Sequence, residues 1–413
     1  MQEGNVRSGA PYSTEIRWLF QAGLLVFVVT VSIGILNGFH FVTLPRQVLL
    51  THVHAGTLGW ITLGVAAACL WIFGGTGPRA TNEGIVRGLA IALVGSVPLY
   101  VAGFWSGSFI ARAALSTPVF ASIVFLLGWS IIEARRIGLG RLSVPQLSAI
   151  AGLVSLVIGS TLGVYAQFAL ATGEQFNAMN IIGGHVTAQV VGFLLLLGMG
   201  LIEYWYRPLQ TAASWAGRIQ VGLLFFGALA IAVGFALGQP QAAGGAVLLE
   251  IPALLIFLIR VGWSAARSGW TRPGSARHAA VAVPFLVLNV GSIIYLILAL
   301  FVLNIYKDFS EVPSSVAVTL DHALFVGVMT NLNFALLIAF TADRPAVLPW
   351  ADGLVFWGLN AGAAAFIVVL LANITFFERF TAPVMGLAIL LGLVTFTLRL
   401  WTRASTTRVP AAA

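Results

Sequence analysis

The sequence predicts an all-α integral membrane protein of twelve transmembrane helices, arranged as three four-helix pseudo-repeats. Three observations carry this. Charged residues are only 8% of the chain, hydrophobic residues 59%, and mean hydropathy is +0.98. A soluble domain carries roughly 25% charge, so a water-soluble fold is excluded. Apolar runs recur twelve times, each near the ~20 residues a spanning helix needs. None has the ten-residue alternation of an outer-membrane barrel. Finally, the basic residues gather in alternate loops.

In chain order the expected spans are 17–37, 47–73, 84–104, 112–133, 147–170, 179–202, 217–237, 243–264, 281–304, 315–341, 352–373 and 381–401. Gly, Pro, Arg and acidic residues bound them. The whole chain, 1–413, reads as a single transmembrane domain, with pseudo-repeats over about 15–140, 141–275 and 276–403. The first ten residues are polar, so no cleaved signal peptide is expected before the first span. Cys69 is the one cysteine and can form no intrachain disulfide.

Of the 21 Lys and Arg, seventeen fall on one side, among them Arg7, Arg79, Arg272, Arg403 and Arg408. Arg46, Arg112, Lys307 and Arg379 fall on the other. The positive-inside rule then places both termini in the cytoplasm of a multi-pass protein of a bacterial inner membrane. This distribution also accounts for the net charge of +8 and pI of about 10.4 without a nucleic-acid partner. The lipid bilayer is the partner expected.

Six histidines are present. His40 and His278 fall in predicted loops and read as solvated. His52, His54, His185 and His322 lie near the outer ends of spans 2, 6 and 10, each about seven residues or ~10 Å deep. His185 is 131 residues from His54 and 137 from His322, each near a third of the chain. Span 2 reads His52-Val-His-Ala-Gly-Thr-Leu-Gly59-Trp, span 6 His185-Val-Thr-Ala-Gln-Val-Val-Gly192-Phe, and span 10 His322-Ala-Leu-Phe-Val-Gly327. Aligning the glycines equates His52 with His185 and His54 with His322.

Residues i and i+2 of a helix point ~200° apart, so His52 and His54 serve two different sites. The expected facing pairs are His52 with His185 and His54 with His322. One reading makes all four metal ligands, since ionisable groups inside a bilayer are costly and usually functional. The other has them bond backbone carbonyls or pack at interfaces. Two facing neutral imidazoles suit the iron of a b-type haem, one bound or two. Zinc would want a fourth N or S donor, whereas histidine-held copper or iron remains open for the second site. Ala55, Gly56, Gly59, Gly183, Gly184, Ala323 and Gly327 leave room for a flat macrocycle, or else simply allow close helix packing.

Fewer polar groups remain. Glu250 would be a neutral acid unless paired, acting as a proton relay, a substrate contact or a helix–helix hydrogen bond. Asp321 adjoins His322. Gln189 lies one turn below His185, within reach of that site. Gln189, Asn289, Asn331 and Asn333 are expected to bond between helices. Arg46 and Arg112, with Lys307 and Arg379, are possible contacts for haem propionates, or for lipid headgroups. Glu133, Glu203 and Arg207 are expected to face headgroups.

The pattern resembles the catalytic subunit I of the haem-copper oxidase superfamily. His52-Val-His-Ala-Gly-Thr-Leu-Gly-Trp60 looks like the His-x-His motif of C-type oxidases, displaced from helix 10 to helix 2. Gly184-His185 looks like the start of the family's helix 6 motif, shared with nitric oxide reductases. A His-x-His on helix 2 is also similar to NnrS-type haem proteins. The resemblance implies three four-helix arcs, haem, and an oxidoreductase fed by a quinol or a periplasmic cytochrome. Span 7 has no histidine and position 189 is Gln, so the usual copper B ligands and the family's Tyr or Glu are missing. Electron transfer, or handling of a small gas such as nitric oxide, is therefore expected over four-electron oxygen reduction. A twelve-helix secondary transporter is the main alternative; an assembly subunit that kept only the haem is a third.

Overall fold

The computed structural model describes residues 11–74, 83–207, 209, 211–239, 241–271, 273–307 and 311–402. Arg7, Arg79, Arg272, Arg403 and Arg408, used above for orientation, lie outside them. Among the described residues there is no strand, and twelve helices are long and apolar enough to span a membrane. They are α1 (Ser13–Gly38), α2 (Arg46–Gly74), α3 (Glu83–Trp105), α4 (Phe109–Ile137), α5 (Val144–Thr172), α6 (Ala178–Tyr206), α7 (Trp215–Ala236), α8 (Gly244–Ala266), α9 (Ser275–Phe301), α10 (Ser314–Phe340), α11 (Ala351–Leu371) and α12 (Thr375–Trp401). Each matches one expected span. The protein is a multi-pass membrane protein.

Local signals set the helix ends. Ser108, Asn177 and Ser214 accept hydrogen bonds from the backbone N–H three residues on, opening α4, α6 and α7. The Gln146 side chain accepts from the Ser143 N–H at 2.9 Å, opening α5. Gly138 and Gly173 follow α4 and α5 at φ 94° and 73°, a region where only glycine is unstrained. The helices are apolar nearly all round, as spanning helices are. Leu25, Ile110, Leu248 and Ile259 present over 70% of their surface outward, which suits lipid. Trp215, Trp263, Trp350 and Trp401 cluster at the end that holds the termini, like the aromatic belt of a membrane interface.

Neighbours in sequence are neighbours in space, and α12 closes the ring onto α1. Within it α2, α6 and α10 are the most enclosed, 78%, 72% and 78% buried against 39–56% for the other nine. The three central helices interlock. The Trp60 Nε1–H of α2 donates to Thr330 Oγ1 of α10 at 3.1 Å, and Asn333 of α10 donates to the Trp60 carbonyl at 3.2 Å. Gly198 of α6 admits Val328 of α10.

Three expectations fail at the end that holds the termini, those for His278, Glu203 and Glu133. His278 is not in a loop: α9 begins at Ser275, and His278 is 1% exposed with Nδ1 2.8 Å from Asn331 Oδ1. Its neighbour Arg277 can enter the bundle because Phe356 covers the guanidinium at 4.4 Å and the Asp352 carbonyl accepts from it. Glu203 does not face headgroups. It is buried, and Arg260 grips it through two hydrogen bonds of 2.7 and 3.0 Å while also donating to Gln220 at 2.8 Å. A π-helical turn at Leu258–Gly262 carries Arg260 at its centre, and its extra residue re-aims the side chains there. Glu133 is buried against Arg136 at 2.8 Å, and Arg207 is exposed. His40 is exposed, with Nε2 3.0 Å from Glu378 Oε2.

Candidate functional site

Each central helix switches from α to π hydrogen bonding at its histidines. The π segments are Ala55–Thr62, Ala188–Leu194 and Ala323–Thr330. They begin directly after His54 and His322 and three residues after His185. Such bulges occur often at functional sites because they break the helical register of side chains.

All four histidines are half-buried, and each anchors Nδ1 on a backbone carbonyl. His52 Nδ1 lies 2.8 Å from the Thr30 oxygen on α1, and His185 Nδ1 2.7 Å from the Gly159 oxygen on α5. A glycine four residues after each acceptor makes the ring fit. A Cβ at Gly34 would stand 3.0 Å from His52 Cε1, and one at Gly163 would stand 2.9 Å from His185 Cε1. His54 and His322 anchor instead within their own helices, to the oxygens of Leu50 and Val318 at 2.8 and 2.9 Å. Eight residues after each comes a threonine, Thr62 or Thr330, whose hydroxyl donates to the carbonyl five back. The environments thus match His52 to His185 and His54 to His322, the equivalence that the glycine alignment gave.

His54 lies within electrostatic range of His185, and His322 within range of His52. In α6 and α10 the positions in register with His54 and His52 hold Thr187 and Leu320.

The carbonyl bonds fulfil the plainer expectation for one ring nitrogen only. With Nδ1 as donor, Nε2 is the unprotonated nitrogen that binds a metal, and ligating histidines typically hold their other nitrogen this way. No hydrogen-bond partner for any of the four Nε2 atoms is present among the described residues. Nor do these residues contain a group of three or more His, Cys, Asp or Glu suited to a metal ion. Neutral imidazoles with a free Nε2 are the donor chemistry a haem iron takes.

Other expectations divide. The small residues do not keep a macrocycle space. A Cβ on Gly56 would meet Thr30, on Gly59 Val26, on Gly183 Phe235, on Gly184 Ala232 and on Gly327 Phe285. Ala55 and Ala323 are fully buried. These positions serve close packing against neighbouring helices. Gln189 donates to Ser160 and Leu156 of α5 at 3.3 and 3.4 Å, one turn beneath the His185 anchor. Asn289 donates to the Leu320 carbonyl of α10, and Asn331 to Asn360 of α11, each at 2.8 Å. Asp321 is half-buried. Glu250 is 1% exposed, and neither oxygen has a partner among the described residues.

Among the four cations opposite the termini, Arg46, Lys307 and Arg379 are exposed. Arg112 is 4% exposed, its Nε has no partner, and Phe104 and Phe109 cover it at 4.8 and 5.3 Å. Phe104 also stacks on His54, centroids 3.7 Å apart, with Tyr100 beside them. Sequence reasoning missed Tyr100, Phe104, Thr30 and Gly159. The Gly34 and Gly163 spacing, shared by two first-of-four helices, was the available signal for the last two. No family model matches the chain, and no curated protein does.

Proposed function

We propose that the protein is a haem-binding membrane redox protein, related to the haem-copper oxidases and nitric oxide reductases, in which His54 with His185, and His52 with His322, would each hold one haem. The observation that carries this reading is the common state of four imidazoles, with Nδ1 pinned to a carbonyl and Nε2 left free. A b-type haem held by two imidazoles supplies one-electron transfer. The chain's own part is to fix the rings: the Thr30 and Gly159 carbonyls hold His52 and His185 across helices, and Phe104 packs the His54 ring. Arg112, buried without an acid partner, suits a propionate, with Arg46 behind it. At one of the two sites, copper or bound nitric oxide is the alternative to a second haem. The positive-inside rule makes the histidine end the outer face, within reach of a quinol or a periplasmic cytochrome.

The purified protein should show a b-type absorption spectrum. His54→Ala and His185→Ala should remove the same signal, and His52→Ala and His322→Ala another. A wild-type protein without any haem absorption overturns the reading in favour of a transporter. Loss of one signal from His54→Ala and His322→Ala together would restore the pairing first expected.

A further inference from the structure

Three arginines meet at the end that holds the termini. Arg277 stands in the first turn of α9, Arg399 in the last turn of α12, and Arg344 in the loop between α10 and α11. Arg277 and Arg399 are each 5% exposed, and both bond Asp352 in the first turn of α11. Arg277 Nη2 donates to its backbone carbonyl and Arg399 Nη2 to its carboxylate, each at 2.6 Å. Arg344 Nη1 closes the end of α12, donating to the carbonyls of Arg399, Leu400 and Thr402 at 3.2, 2.6 and 3.2 Å.

Each guanidinium thus uses one nitrogen within the protein. The three Nε atoms are sealed without a partner. The remaining nitrogens, Arg277 Nη1, Arg399 Nη1 and Arg344 Nη2, carry no hydrogen bond among the described residues and are not sealed. Charge is left over as well. Asp352 is shared by two arginines, and the other acid, Asp343, is exposed and 3.9 Å from Arg344 Nε. A buried cation without a full counter-charge is unfavourable, and planar, forked donors of this kind match the oxygens of a phosphate.

The surroundings name the source of that phosphate. Trp350 and Trp401 beside the cluster are exposed, as in the belt at a membrane–water interface. Leu354 of α11 and Val394 and Leu398 of α12 are exposed on the same two helices, an apolar wall for acyl chains. Basic pockets between helices on the cytoplasmic side take anionic headgroups, and the positive-inside rule makes this end cytoplasmic. We propose that the cluster binds the phosphate of an anionic phospholipid of the inner leaflet, with the three free Nη groups donating to its oxygens and the chains lying along α11 and α12. A zwitterionic headgroup carries its own cation and would leave the surplus charge unmatched. The site needs no haem and stands apart from the histidine end.

The test titrates the full chain, stripped of lipid in detergent, with dioleoyl phosphatidylglycerol and reads bound lipid by native mass spectrometry. One phosphatidylglycerol should be held about tenfold more tightly than phosphatidylcholine. Arg277→Gln and Arg344→Gln should each weaken it about tenfold, the loss of one hydrogen bond to a charged group. Arg141→Gln, at an exposed arginine of the same side, should leave it unchanged. If circular dichroism shows an arginine variant misfolded, the wild type decides alone: phosphatidylglycerol with a diazirine in its acyl chain should crosslink to peptides around Leu354 and Leu398. Equal affinity for the two lipids, wild-type affinity in both cluster variants, or crosslinks only elsewhere overturns the proposal. So does inorganic phosphate that displaces the lipid at equal concentration, which would make the cluster a site for a soluble anion.

Discussion

The two ends of the bundle treat buried polar groups in opposite ways. At the end with the termini, several pair with one another: Glu203 with Arg260, which also holds Gln220, Asp352 with Arg399 at 2.6 Å, and His278 with Asn331, itself paired with Asn360. At the other end, four histidines are each held by one nitrogen and idle at the next, and Arg112 is buried without an acid. His278 and His322 show the contrast within one neighbourhood of helices. His278 is sealed and bonded to a side chain, whereas His322 is half-buried, anchored to the backbone and edged by Phe366 at 5.0 Å. A closed network fixes helices. A side chain held at one atom and open at another keeps that second atom free to bond.

The largest effect should come from breaking the closed end. Glu203→Ala leaves Arg260 buried and unpaired, which typically costs about 3–5 kcal/mol. Thermal unfolding in detergent should show that loss. The double variant Glu203→Leu with Arg260→Met should recover most of it, because no charge is then left buried. A loss under about 1 kcal/mol in the single variant would mean that this network does not hold the helices together.

Asn331 is the hub of the second network, accepting from or donating to His278, Asn360 and the Gly327 carbonyl. Asn331→Ala should cost about 2 kcal/mol by leaving buried partners unpaired, and should leave any haem spectrum unchanged. A spectral change with intact stability would show that the two ends are coupled, and would blur the comparison.

How much was legible beforehand follows from how local each signal is. The twelve spans could be read because a hydrophobic run needs no neighbour to be recognised. Equating His52 with His185 and His54 with His322 was legible for the same reason, since Gly59, Gly192 and Gly327 fix the register within each helix. Which histidines share a site is not a local property, because it depends on how the helices are turned against one another. His278 and Glu203 were misplaced for a related reason. Their burial rests on Asn331, 53 residues away, and Arg260, 57 residues away, the latter on a π turn that no periodicity marks.

At the open end the sharper test is indirect. Gly34→Ala and Gly163→Ala each push a methyl against the Cε1 edge of a histidine, beside the free Nε2. Displacing an outer-shell support typically lowers metal affinity 10–100-fold. Haem retention after dilution should fall about tenfold, for the His52–His322 signal in the first variant and the His54–His185 signal in the second. Gly95→Ala, whose Cβ would meet nothing within 4 Å, is the control. Equal loss of both signals from either variant would argue against two separate pairs.

The smallest expected effect concerns Glu250, which belongs to neither pattern. It is buried like the closed end but has no partner, and no cation faces it with a hydrogen bond. An isolated carboxylate in an apolar interior is so costly that the group takes up a proton instead. As a neutral acid it resembles glutamine in size and polarity. Glu250→Gln should therefore change the thermal midpoint by less than about 0.5 kcal/mol equivalent, within the range of substitutions that disturb no contact. If Glu250 only packs, the variant should also keep the rate at which haem is reduced by a quinol analogue. A stable Glu250→Gln protein with slowed reduction would instead make this carboxyl a proton carrier for the open end. A variant destabilised by several kcal/mol would mean that Glu250 is ionised and has a cationic partner in the membrane.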